Sequence, residues 1–344
     1  MQQVENTLYV MTPHAYVHLD NATVRVEVDH ETKLRVPLHH LGGIVCFGNV
    51  LLSPALIHHC ADEGIALVLL DQNGRFKARL EGPVSGNILL RQAQHRKAAD
   101  PAFALDVARE ITAGKLRNAR QVLLRGARET GMPEDAERLS AAAVSLAGGI
   151  RRLPNAADLD AVRGVEGEAA RHYFEVFSFL VRSDVRDAFT LHGRTRRPPR
   201  DRMNALLSFL YSMLMNDCRS AVESVGLDPQ LGFLHAVRPG RAALALDLME
   251  EMRAFLADRL ALTLVNRGQI RAEDFEERDG GAVLLSERGR REVVTAYQER
   301  KKEELIHPLL ETTVPLGLLP LLQARFLARA IRGDMETYLP FLVR

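Results

Sequence analysis

The chain of 344 residues is expected to fold as an α+β protein. A small β-rich, β-sandwich-like N-terminal domain would cover residues 1–82, and a larger all-α C-terminal domain residues 83–344. Two observations predict this. Through residues 7–48 apolar and polar residues alternate with the period of two that half-buried strands require. Near Gly82-Pro83 the period changes to about 3.6 and stays helical for most of the remaining sequence. At 47% hydrophobic and 26% charged, the composition is that of an ordinary globular chain long enough for two domains.

In order, TLYVM, AYVHLD, TVRVEVD, KLRVPL and GGIVCFG read as strands, several of them separated by Asn, Asp, Gly or Pro, and a small antiparallel sheet with hairpins is expected. Ser53-Pro54 then opens a short helix, with Ser as N-cap, Pro at the first helical position and Gly64 as its stop. Residues 65–71 form an apolar strand and 75–82 a polar one. Helices are expected over 87–98, 101–130, 133–149, 164–182, 201–226, 241–265, 287–305 and 318–332. A small hairpin should form around Asp279-Gly280-Gly281. The short sheet leaves edges and an apolar face that need cover, so a homodimer through the N-terminal domain is expected.

The formal net charge is +1, so the whole chain is not a polycation. Three widely spaced cysteines argue against a disulfide framework and against a cysteine-rich zinc site. MQQVENTLYV lacks the features of a signal peptide, and no uninterrupted apolar run reaches the roughly 20 residues of a membrane span. A cytoplasmic location without a membrane partner is expected.

Four features carry candidate chemistry. In the helix expected from Gly164, residues Ala169, Ala170, Tyr173, Phe177 and Leu180 share an apolar stripe, and Glu166 falls on that stripe in the first turn. Either this end of the helix is exposed, or Glu166 is paired with an Arg, protonated or metal-bound, because an unpaired buried carboxylate is too costly. His235 lies in a Gly/Pro-bounded loop. Asp247, Glu250 and Glu251 share one helical face, with Asp258 continuing it; alone, these acids read as a solvated face. Together, one imidazole and two or three carboxylates suit Mg²⁺ or Mn²⁺. Finally, Arg194, Arg196, Arg197, Arg200 and Arg202 crowd around a Pro-Pro, either as a DNA-binding phosphate contact or paired with acidic helices. Lys115, Arg117, Arg120, Arg125 and Arg128 read as a solvated basic face.

The stretches RGVEGEAARHYF, RTRRPPRDRMNALLSFLYSML, GFLHAVRPGRAALALDLMEEMR and GRREVVTAYQERKKEELIHPL, in this order and spacing, resemble the CRISPR-associated adaptation integrase, the Cas-one family, in a form like that of type I-C systems. The resemblance runs through nearly the whole chain. It implies a metal-dependent DNA endonuclease and integrase that inserts short duplexes into a CRISPR repeat array by transesterification, with a Cas-two family protein as partner. It also implies that Glu166, His235 and Glu250 are catalytic metal ligands for Mg²⁺ or Mn²⁺, with Asp247 as a further ligand or a support. Gly164 and Gly167 would then permit close packing beside Glu166. The competing readings are a non-catalytic DNA-binding scaffold and a metal-dependent phosphodiesterase acting on another nucleic acid.

Overall fold

The computed structural model describes residues 6–72, 74, 76–80, 82 and 88–343. Pro83 and Asn87, where the period changes and the first long helix is expected to begin, lie outside the described residues. The fold is α+β. The chain divides into two compact units, Met1–Ser85 and Gly86–Arg344.

The first unit holds strands β1 (Asn6–Val10), β2 (Tyr16–Asp20), β3 (Thr23–Val28), β4 (Glu31–Pro37), β5 (Leu41–Phe47) and β6 (Leu51–Leu52). Helix α1 (Pro54–Glu63), β7 (Ala66–Leu70) and β8 (Phe76–Arg79) follow. They form two four-stranded sheets, ordered β4-β3-β2-β6 and β1-β5-β7-β8. The antiparallel pairing expected within residues 7–48 holds for β2, β3 and β4 and fails for β1 with β5, which are parallel. Beyond that stretch β7 and β8 pair antiparallel, and β5 with β7 and β2 with β6 pair parallel. Alternation reports which side chains are buried and is blind to strand direction. The signal lay in α1, because parallel neighbours need a crossover, and α1 supplies the one between β5 and β7. Ser53 caps α1 by accepting from Leu56 N at 3.2 Å, and Gly64 ends it at φ 69°. Val17 and Val24 of one sheet, Ile44 and Cys46 of the other, and Leu56 and Cys60 of α1 share one buried core.

The second unit contains α2 (Ile88–Ala99), α3 (Pro101–Glu129), α4 (Pro133–Arg152), α5 (Leu159–Glu175), α6 (Arg202–Val225) and α7 (Ala243–Met252). A π-helical turn (Arg253–Asp258), α8 (Arg259–Asn266), β9 (Phe275–Arg278), β10 (Ala282–Leu285) and α9 (Glu287–Lys302) follow, then β11 (Glu304–Ile306), β12 (Thr313–Pro315) and α10 (Leu319–Arg332). It is therefore not all-α: the expected hairpin forms as β9–β10, and a second one, β11–β12, lies in the stretch after α9. Two helices differ from expectation. Helix α5 begins at Leu159, capped by Asp158 accepting from Ala161 N at 2.8 Å, and ends at Glu175 before a 3-10 turn. Glu166 is thus well inside the helix, beyond the reach of the first-turn dipole. The helix expected over 241–265 is interrupted by the π turn, a register change that hydrophobic periodicity does not report.

Helix α3 runs through the middle of the unit against α4, α5 and α7. On one side it holds the C-terminal tail: Asn118 Nδ2 donates to Phe341 O at 2.8 Å, and Val343 N donates to Asn118 Oδ1 at 2.9 Å. A Cβ on Gly114 would come within 2.7 Å of Pro340 Cβ, so the tail lies directly on the helix backbone. Among the described residues, no helix is long and apolar enough to cross a membrane.

All three cysteines are buried and unbonded. Burial pushes the Cys46 thiol up to about 12 and the Cys60 thiol up to about 11, and raises Cys218 well above its ordinary value. The thiolate is the reactive form. At pH 8 the native chain should leave an aromatic disulfide reagent uncoloured, and all three thiols should titrate once guanidinium unfolds it. Rapid reaction of any thiol in the native chain would contradict this packing.

Candidate active site

The site is built where α3, α5, α7 and the loop of residues 227–242 meet. That loop carries His235 and is fastened by three elements. Gln94 of α2, fully buried, donates to Asp228 O and Leu231 O, both at 2.9 Å, and accepts from Asp228 N at 2.8 Å. Arg163 of α5 donates through Nε to Leu234 O at 2.8 Å. Asp247 of α7, with no exposed surface, accepts from Phe233 N at 2.6 Å and Leu234 N at 3.0 Å on Oδ2. Its Oδ1 accepts from His235 N at 2.9 Å and lies 2.7 Å from His235 Nδ1. The carboxylate orients the ring through Nδ1, and Nε2 faces inward, 3.9 Å from Glu250 Oε1.

Glu250 sits one turn further along α7 and is only 4% exposed. Arg253 donates through Nη1 to its Oε1 at 2.8 Å and its Oε2 at 3.0 Å. The Lys115 ammonium, from α3, lies 2.6 Å from Glu250 Oε2 and also donates to Glu166 Oε1. Burial alone would push the Glu250 carboxyl up. Arg253, Lys115 and His235 outweigh it and hold the group well below the usual carboxylate range. Beneath this layer the Arg253 guanidinium stacks 4.3 Å from the Tyr211 ring centre. Tyr211 and Tyr173 donate to Asp258 at 2.5 and 3.0 Å.

The structure brings Glu166, His235, Asp247 and Glu250 together, and it corrects several expectations. Glu166 pairs with a lysine rather than an arginine. The acids of α7 are buried, not solvated: Asp247, Glu250, Glu251 and Asp258 each have dedicated donors. Glu251 points away from the site and accepts from Tyr338 OH, Phe341 N and Gln323 Nε2, and burial raises its carboxyl to about 8. Lys115 belongs to the site and not to a solvated face. Gly164 and Gly167 have open space where a Cβ would stand, so neither serves close packing.

The five arginines differ in their surroundings. Arg194 turns inward to Asn204 Oδ1 at 2.5 Å, Arg200 donates to Gly280 O at 2.5 Å and Arg202 to Ala188 O at 3.1 Å. Arg196, Arg197 and Arg200 are exposed, and Arg194 and Arg202 are half-buried.

Sequence reasoning missed Gln94, Arg163, Arg253, Gly232 and the place of Lys115. The last had a signal: at i, i+4 spacing it falls between Ile111 and Ala119 on the buried stripe of α3, as out of place as Glu166 on α5. Among the described residues, no three His, Cys, Asp or Glu side chains are grouped to hold a metal ion as they stand. The donors fit such an ion in kind: two carboxylates face a point taken by the Lys115 ammonium, and an imidazole nitrogen lies 3.9 Å from the other oxygen of one of them.

Two glutamates, an aspartate and an imidazole gathered on a helical unit that follows a β-rich one in the chain define the class of protein to compare. Residues 8–299 match the family model described as CRISPR associated protein Cas1. The chain is 58% identical over 339 residues, covering 98% of each sequence, to CRISPR-associated endonuclease Cas1 1 of Moorella thermoacetica. This chain belongs to the Cas1 family. Among solved structures it is similar to a Cas1 protein from Thermotoga maritima, with TM-score 0.83, 23% identity and coverage of 97% of this chain and 99% of that one. It is also similar to a chain of a Cas6-RT-Cas1–Cas2 complex, with TM-score 0.82, 23% identity and coverage of 99% and 36%. A casposase bound to integration product gives TM-score 0.82, 22% identity and coverage of 97% and 92%. At these identities the structural likeness is one of fold.

Gly232 is where the loop crosses α7. A Cβ there would lie 2.6 Å from Asp247 Oδ2 and 2.8 Å from the Ala243 carbonyl carbon. Gly232→Ala should therefore push the loop off Asp247, lowering unfolding free energy by about 1–3 kcal/mol in a denaturant titration. Unchanged stability would show that the loop is not held in this way.

Proposed function

We propose that this chain is a divalent-metal-dependent DNA endonuclease and integrase, which inserts short duplex DNA into a CRISPR repeat array during adaptation. One observation carries the reading: Glu166 and Glu250, from separate helices, converge on a single cationic point, with His235 Nε2 directed toward Glu250. Family membership supports it, and so do the names of a relative called an endonuclease and of a fold neighbour captured with an integration product.

In this reading Glu166, His235 and Glu250 hold Mg²⁺ or Mn²⁺. Asp247 is a positioning residue, because its two oxygens are already taken up by three backbone amides and the His235 ring. Bound there, the ion would supply positive charge to the phosphate oxygens and make the attacking hydroxyl more acidic. The new bond joins the 3′-oxygen of the incoming duplex to a repeat phosphorus, and the bond from that phosphorus to its own 3′-oxygen breaks. Exposed Arg196 and Arg197 contact backbone phosphates. The partners proposed are the DNA duplex, the repeat, a Cas2 protein and a second copy of this chain, paired through the β-rich unit.

Glu166→Ala and His235→Ala should each lower joining of a labelled duplex to a repeat-bearing plasmid by roughly a hundredfold or more while both remain folded. EDTA should stop the wild-type reaction and added Mn²⁺ restore it. Joining at the wild-type rate by both variants would sink the assignment, and metal-independent joining would remove the ion from it.

Replacing Arg196 and Arg197 together with Ala should weaken duplex binding and flatten its salt dependence, by about 0.9 in slope for each phosphate that is no longer neutralised. An unchanged slope in fluorescence anisotropy would place the DNA elsewhere.

A further inference from the structure

Lys115 is the least expected member of the site. Its ammonium bonds Glu166 Oε1 and lies 2.6 Å from Glu250 Oε2, so one unit charge bridges two carboxylates from two helices. The two oxygens of Glu250 are not equivalent. Arg253 donates to both, to Oε1 at 2.8 Å and Oε2 at 3.0 Å, but Oε1 also faces His235 Nε2 at 3.9 Å, whereas Oε2 is the one shared with Lys115. The two cations also differ in mobility. Arg253 is 8% exposed and stacked over Tyr211, so it is fixed under the site. Lys115 is a point charge on a flexible four-carbon stem, and its side chain keeps 13% of its surface open to solvent. It can leave without moving α3.

A divalent ion held by Glu166 and Glu250 would stand where this ammonium now stands. Two like charges at that separation, in a poorly screened pocket, repel strongly. The carboxylates alone would repel each other as well, so the site needs a cation at all times.

We propose that Lys115 is the resident counter-cation of this site: it holds Glu166 and Glu250 together while no metal is bound, and the metal must displace it to enter. The inference rests on the reading that these two glutamates and His235 are the metal's ligands. Metal affinity is then held down by the fraction of molecules in which the lysine occupies the slot. A lysine that merely braced two helices would have the opposite effect, since its loss would disorder the ligands and weaken metal binding.

The test uses the purified full chain. Free Mn²⁺ is counted by its paramagnetic resonance signal during a titration of wild type, Lys115→Met and Lys115→Gln. Both variants should bind Mn²⁺ about tenfold more tightly than wild type. In EDTA their melting temperatures should fall below that of wild type, and Mn²⁺ should raise them by more. Lys115→Gln keeps amide donors for the two carboxylates and serves if Lys115→Met does not fold. Unchanged or weaker Mn²⁺ binding by the folded variants, with wild type binding the ion, would overturn the role of Lys115 alone. No Mn²⁺ binding by wild type would overturn the metal site and this inference with it.

Discussion

Helix α7 exists only because every acid on it is answered. Asp247, Glu250 and Glu251 are all buried on a single ten-residue helix, with Asp258 one π turn further on. An unpaired carboxylate in such a place costs several kcal/mol. Each therefore has its own set of donors: backbone amides and an imidazole for Asp247, a guanidinium and an ammonium for Glu250, a phenol, an amide side chain and a backbone amide for Glu251, and two phenols for Asp258. Successive side chains on a helix diverge by about 100°. The helix thus sends Asp247 to the histidine loop, Glu250 to Lys115 and Arg253, and Glu251 to the C-terminal tail, and one element sets all three.

The donors are of two kinds, and the difference matters for chemistry. Those around Asp247, Glu251 and Asp258 are backbone groups or side chains locked by packing, so those carboxylates are structural fixtures. At Glu250 alone a fixed partner, Arg253, is combined with a flexible one, Lys115. Arg253 donates to both oxygens, and Lys115 adds a second, longer-stemmed cation at Oε2. A site meant to accept a cation needs that asymmetry, since a fully locked carboxylate would have no room to offer and an unpartnered one would not stay buried.

Much of this was legible in the string of residues. Strand alternation gave way to helical periodicity near Gly82, Ser53 and Gly64 bounded α1, and Gly333 closed α10 at φ 85°. Glu166, His235, Asp247 and Glu250 stood out by residue type and position, and family resemblance alone joined them into one site, because their spacings are too wide to prove convergence. What the sequence withheld has physical reasons. Burial of the α7 acids depends on partners from remote segments, such as Tyr338 and Tyr211, that no local pattern reveals. The arginines of the 194–202 stretch share composition but not fate, since Asn204 folds their loop inward by accepting from Arg194 and Thr195 N while donating to Gly193 O. Strand direction followed from a crossover helix, which alternation does not encode.

The tail explains why the cation slot has a defined width. Lys115 and Glu250 flank the slot on α3 and α7, and their immediate neighbours in sequence, Gly114 and Glu251, meet the tail. Asn118 completes the clamp: its side-chain amide donates to Glu251 O on α7 at 2.7 Å and to Phe341 O of the tail at 2.8 Å. The two helices are thereby tied to each other and to the tail by buried groups with little freedom to relax. Across that clamped gap the only adjustable atoms are those of long side chains, Lys115 foremost. Core packing fixes where a cation must sit, and in this structure the Lys115 ammonium is that cation, holding the two glutamates of the acidic centre in place.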